Sequence, residues 1–136
     1  MAEKLILSNR AILKIHTGLR NLDGVASEAG KITRFDFDEN VTWNIAKNIV
    51  LVERALEAYE RARKSLLAKH AIVEGVQHQI TEENAGKYAT FMEEIEKLKD
   101  KQVEITGVLK LKKTELKEGG LNVPSIFADL MEIIKE

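Results

Sequence analysis

The chain has no cysteine, which excludes disulfides, thiolate nucleophiles and cysteine-based zinc sites together. It has a single proline, Pro124, so no ring interrupts a helix anywhere before Glu118. Aromatic residues make up 5% of the chain, leaving Leu, Ile, Val and Ala to build the core. An excess of either charge is also lacking: 21 basic against 22 acidic residues give a formal net charge of -1. Nucleic-acid binding rests on a cationic surface that displaces counterions from phosphates, so nucleic acid is not the expected partner. No uncharged run approaches the roughly 20 residues that a membrane span requires, and no membrane partner is expected. Met1 to Ser8 carries one lysine and an apolar run of only three residues, which does not read as a signal peptide. Together with the missing cysteine, this suits a reducing, cytoplasmic setting.

What the chain does have is size and pattern. Its 136 residues, 44% hydrophobic and 32% charged, predict one domain over 1–136 with a core that needs no metal or disulfide. The dominant pattern runs from about Asp38 to about His70. Ile45, Ile49, Val52, Leu56 and Tyr59 recur there at steps of four and three, with Glu, Arg and Lys between them. That spacing lines one stripe of a helix with apolar side chains. Leu66 continues the stripe, but Arg63 and His70 occupy positions where its next apolar members belong. Asp38 or Asn40 is placed to cap this helix, and Asp38 and Glu39 sit favourably at its positive end.

The remaining elements are shorter. Ser8 is a good cap for a helix from about Asn9 to Leu22, with Ile12, Ile15, Leu19 and Leu22 buried and Asp23-Gly24 ending it. Val25 to Gly30 reads as a loop. Lys31 to Phe37 reads as a short strand or extended arm with Thr33, Phe35 and Phe37 on one face. Ala71 to Ile80 fits both periods and is taken as a linker. Thr81, followed by Glu82 and Glu83, opens a helix to about Lys99 whose stripe is Tyr88, Phe91, Met92, Ile95 and Leu98. From Gln102 the period changes to two, with Val103, Ile105, Leu109 and Leu111 alternating with polar residues. That is the mark of a half-buried strand, with Gly107 as a bulge. Gly119-Gly120 is a loop, and Pro124 opens a C-terminal helix. The expected fold is therefore mainly α with a minor β element: a long amphipathic central helix, a second helix, a short strand or hairpin, and a C-terminal helix.

The C-terminal helix carries Ile126, Phe127, Leu130, Met131, Ile133 and Ile134, apolar around most of its circumference. Phe127, Leu130, Met131 and Ile134 form one stripe for the parent domain. Ile126 and Ile133 then point to a neighbouring face that a second subunit would cover. A homo-oligomer built on these six residues is the expectation.

No template for chemistry is satisfied. Asp36-Phe37-Asp38-Glu39-Asn40 opens like an EF-hand loop, but Val41 stands where the turn needs Gly, and Lys47 where calcium needs a bidentate Glu. His16, His70 and His78 have no spacing that puts two on one helical face, and HExxH is missing. Ser8, Ser27, Ser65 and Ser125 lie in no GxSxG context, and the glycines match neither a P-loop nor a dinucleotide fingerprint. Glu57 with Arg61, Glu60 with Lys64, and Glu93 with Lys97 are i,i+4 surface pairs. No catalytic residue, metal or cofactor is expected, and the chain is read as a non-enzyme. Lys110, Lys112, Lys113 and Lys117 form a basic set on a polar strand face, diluted by Glu104, Glu115 and Glu118 and with no aromatic interleaved for stacking. A ligand-binding set is also conceivable on the long helix: Trp43, Asn44, Lys47, Asn48, Arg54 and Arg63, which mix an aromatic ring, amides and cations. Arg63 projects from the apolar stripe itself, suiting a buried carboxylate partner or an anionic ligand.

Thr42-Trp43-Asn44-Ile45-Ala46-Lys47-Asn48, the Glu/Arg-rich run Ala58-Tyr59-Glu60-Arg61-Ala62-Arg63, and the closing Val123-Pro124-Ser125-Ile126-Phe127-Ala128-Asp129-Leu130-Met131 resemble a known group. The chain is similar from about Asn40 onward to small proteins of unknown function encoded by tailed bacteriophages. The resemblance implies a phage accessory or virion-associated protein that works by binding, either in the bacterial host cytoplasm or in the virion. Its partners would be itself and another phage or host protein. It supplies no catalytic residues. The alternative is an oligomeric protein that sequesters an anionic nucleotide signal and so acts against host defence.

Overall fold

Helices dominate the chain, and short strands lie between them. The computed structural model describes residues 3–22, 25–26, 32–33, 35–72 and 85–135. In order, these form β1 (Glu3–Ser8), α1 (Asn9–Asn21), β2 (Val25–Ala26), β3 (Ile32–Thr33), α2 (Glu39–Lys69), α3 (Ala85–Lys99) and β4 (Gln102–Val108). The last third holds β5 (Leu111–Lys112), α4 (Lys113–Glu118), α5 (Pro124–Asp129), a single 3-10 turn (Met131–Ile133) and β6 (Ile134–Lys135). The fold is mainly α with a minor β element, as the periodicities indicate. Among the described residues, no helix is long and apolar enough to cross a membrane.

The central helix forms where its pattern requires. Asp38 is its N-cap, and Oδ1 accepts from the backbone N–H of Asn40 (2.8 Å) and Val41 (3.1 Å). Its acidic neighbours therefore serve the helix terminus. At 1.5 Å per residue the 31 residues of α2 extend about 46 Å. Val41, Ile45, Val52, Leu56 and Tyr59 are buried along one side, with Ile49 half-buried beside them. Helix α1 lies against this side, capped by Ser8 Oγ, which accepts from Ala11 N–H at 3.1 Å, and it buries Ile12, Ile15 and Leu19.

Helix α3 lies on α2 through Ile95, with Tyr88, Phe91 and Leu98 half-buried. Met92, expected in that stripe, is 53% exposed. It sits about 60° around the helix from Ile95, on the edge that no described element covers. Helix α1 is tied to the end of α3 by Arg10, which donates to Glu96 and, at 3.4 Å, to Asp100, and by Asn9 Nδ2, which donates to the Leu98 carbonyl at 2.8 Å.

Strand β4 pairs antiparallel with β1, Leu5 opposite Ile105 and Leu7 opposite Val103. The N-terminal segment is thus a strand that the periodicity of eight residues left unassigned. A lone half-buried strand needs a partner, and Leu5-Ile6-Leu7 supplies it. The register slips between Glu3 and Lys4, which face Val108 and Thr106. The extra residue is Gly107, at φ +98°, so the bulge expected there is present. Its effect is to turn Val108 inward together with Ile105, which strict alternation would forbid. The strand then ends at Val108, and the segment from Lys113 to Glu118 is helical, not a continuation of a polar strand face.

The C-terminal segment departs most from expectation. The helix opened by Pro124 stops at Asp129, and Ile134–Lys135 pairs parallel with Leu111–Lys112. Ile126, Leu130 and Ile133, spaced by four and three, are the buried stripe, at 2%, 0% and 1% exposure. Val25–Ala26, expected as loop, pairs antiparallel with Ile32–Thr33. The expectations for Asp23-Gly24, for 73–80 and for the helix start at Thr81 lie outside the described residues.

Candidate functional site

Helix α2 carries all six residues of the proposed ligand set, and its geometry separates them. Trp43 and Arg63 are 20 positions apart, about 30 Å along the axis. At 100° per residue, Trp43, Lys47 and Arg54 fall on the outward face, whereas Asn48 and Arg63 fall toward the core. Trp43 is 63% exposed, Lys47 and Arg54 are exposed, and Asn44 is half-buried. Asn48 is 0% exposed. The set does not converge on one ligand.

Asn48 has a different task. Its Nδ2 donates to the Leu109 carbonyl at 2.8 Å, and its Oδ1 accepts from Leu109 N–H at 2.9 Å. Leu109 lies between the end of β4 and the start of β5, where its backbone has no ladder to join. The amide substitutes for a neighbouring strand and satisfies both groups. Arg63 also pairs locally, Nη2 reaching Glu60 Oε2 at 2.9 Å. Its charge opposes the burial that pushes the Tyr59 phenol up.

Two polar clusters join α2 to its neighbours. At its C-terminal end, Glu94 of α3 accepts from Lys69 Nζ at 3.0 Å and lies 3.0 Å from His70 Nε2. These contacts hold the Glu94 carboxyl below its ordinary range. Phe91 meets the His70 ring edge-on, centroids 6.0 Å apart. Farther back, a groove of about 420 Å³ between α1 and α2 is floored by Leu13 and Leu56 and edged by His16, Arg20 and Glu53. Arg20 Nη2 donates to Glu53 Oε1 at 2.6 Å, and His16 Nε2 stands 3.6 Å from the same oxygen. That nitrogen is buried and unbonded among the described residues, so in this arrangement it is shielded from any substrate in the groove. Among the described residues, no group of three or more His, Cys, Asp or Glu side chains is placed to hold a metal.

No protein-family model, curated protein or solved structure matches this chain.

The six C-terminal residues assigned to an oligomer interface are divided by the structure. Ile126, Leu130 and Ile133 are consumed by the protein's own core, and Phe127 and Ile134 are half-buried. Met131 alone stands out, 68% exposed. The premise of a second bare apolar face fails because the buried stripe has another phase. Gly18 sets that phase: a Cβ there would lie 2.8 Å from Leu130 Cγ, so its absence lets α5 seat Leu130 directly on α1.

A different apolar feature does reach solvent. Trp43 and Val50, two turns apart on the outward face of α2, are 63% and 50% exposed, with exposed Ala46 between them. Sequence periodicity could have flagged Val50, which stands off the buried stripe. Lys47 and Arg54 border this patch on one side and Glu53 and Glu57 on the other.

Proposed function

We propose that the chain is a non-enzymatic, self-associating interaction protein of the kind that tailed bacteriophages encode as accessory or virion-associated proteins. The observation that carries the reading is the exposed Trp43–Val50 patch on a long helix whose opposite side is buried in the core from Val41 to Tyr59. A tryptophan in water on a rigid helix is a common anchor of protein interfaces. The flanking charges favour a second copy as the occupant. In a parallel two-fold arrangement, the Lys47/Arg54 border of one helix faces the Glu57 side of the other, where Glu53 is already held by Arg20 of its own chain. The antiparallel arrangement would set base against base. The phage assignment draws on the sequence resemblance from Asn40 onward, and the cytoplasm of the host or the virion is its setting.

Sedimentation equilibrium tests the reading. The wild-type chain is expected to form a dimer at high protein concentration, and Trp43→Ser with Val50→Asp to yield a folded monomer, because neither side chain supports the core. A monomeric wild type, or a double variant that associates as before, would overturn it.

A further inference from the structure

The basic set of the sequence lacks an interleaved aromatic, and the fold supplies one from elsewhere. Lys110 and Lys112 are engaged, with the Glu132 carbonyl at 3.0 Å and Glu115 at 3.8 Å. Lys113 and Lys117, i and i+4 on α4, share one side of that helix, and among the described residues neither has a carboxylate partner. Glu115 and Glu118 project from other sides of the same turn. Both lysines line an open cleft of about 630 Å³, whose far wall is Phe127 and Pro124 of α5 and whose rim carries the exposed amide of Asn122. The Lys113 ammonium stands over the Phe127 ring, 5.8 Å from its centre, so cation and aromatic ring meet at one place in the cleft. The volume lies within the range of small-molecule sites, which combine apolar walls with a few placed polar groups.

We infer that this cleft binds a nucleotide-type ligand, an aromatic base carrying phosphate. Lys113, drawn off the Phe127 ring, holds the phosphate together with Lys117, the uncovered ring and Pro124 present flat apolar surface to the base, and Asn122 offers one donor and one acceptor to its edge. None of these residues belongs to the patch on α2, so the inference stands apart from self-association. A balanced net charge gives no long-range pull on a polyanion, which favours a free nucleotide over a strand.

Calorimetric titration of the full chain with adenosine 5′-monophosphate, adenosine and inorganic phosphate tests it. The monophosphate is expected to bind at least about tenfold more tightly than either fragment, because base and phosphate contacts are both made. Lys113→Gln with Lys117→Gln, at solvent-facing positions, should weaken it by more than about tenfold and leave adenosine unchanged. Phe127→Leu should weaken it by about tenfold through loss of stacking. A short single-stranded oligoadenylate separates the sources: equal affinity identifies a free nucleotide, and tighter affinity identifies a strand of nucleic acid. Monophosphate binding that is absent, no tighter than phosphate, or unchanged in the double lysine variant would overturn the inference.

Discussion

Asn48 and Leu109, 61 positions apart, exchange both hydrogen bonds of an amide pair, at 2.8 and 2.9 Å. The contact fixes the residue after β4 to the first third of α2 and uses every polar group involved. Removing one partner leaves the N–H and carbonyl of half-buried Leu109 without their protein partner, and a shielded group so stranded costs about 1–3 kcal/mol.

Asn48→Ala is therefore expected to lower stability by about 2–4 kcal/mol, since it strands both the N–H and the carbonyl of Leu109. Asn44→Ala, one turn earlier and half-buried, should change stability by less than about 0.5 kcal/mol. Urea titrations of the two variants provide the comparison. Equal, small losses would mean that Leu109 finds other partners.

Much of this fold was legible in the sequence, and the failures have identifiable causes. The span of α2, a cap at Asp38 or Asn40, the α1 stripe and the Gly107 bulge follow from local rules: periodicity, capping and glycine's access to positive φ. Asn48 was not legible as a structural residue, because its partner is remote and an amide on a helix suits several tasks. Ile126, Phe127, Leu130, Met131, Ile133 and Ile134 allow two helical phases. The choice between them is made by Gly18 of α1, 112 positions before Leu130. The basic cleft was hidden for the same reason, since Phe127 reaches Lys113 only through the turn at Gly119-Gly120.

Gly18 and Gly86 should respond oppositely to alanine. At Gly18 the new methyl meets Leu130 Cγ at 2.8 Å and Asp129 Cβ at 3.0 Å, so overpacking of about 1–3 kcal/mol outweighs the gain in helix propensity. At Gly86, in the first turn of α3, nothing lies within 4 Å, and Gly86→Ala should stabilise by about 0.5 kcal/mol. Thermal unfolding midpoints that move in the same direction would show that α5 is not seated on Gly18.

Glu94 gives the chain a specific acid sensitivity. The hydrogen bond with His70, then that from Lys69, lowers its carboxyl below the ordinary value of 4.5, against a smaller opposing effect of burial. A carboxylate that is easier to ionise in the folded state contributes stability above its unfolded value, and loses it as pH falls through the lower folded value. Glu94→Gln is thus expected to be less stable than wild type at neutral pH. The gap should close as pH drops from the ordinary carboxylate range to below the folded value. Urea midpoints across that range measure it, and a gap that stays constant would show that ionisation of Glu94 does not contribute.

Ile126 and Ile133 distinguish a core role from an interface role. Each is nearly inaccessible within a single chain, at 2% and 1% exposure, and both belong to the same apolar cluster as Leu19 and Leu116. An aspartate at either place would bury a carboxylate inside the apolar cluster, a loss of more than about 4 kcal/mol. Ile126→Asp and Ile133→Asp are expected to abolish cooperative unfolding in circular dichroism, whereas Met131→Asp, at a position 68% exposed, should unfold like wild type. If these isoleucines instead faced a second subunit, each aspartate variant would remain folded and sediment as a smaller species. Velocity sedimentation alongside the melting curves separates the two outcomes, because a core substitution removes the folded monomer itself while an interface substitution only releases it.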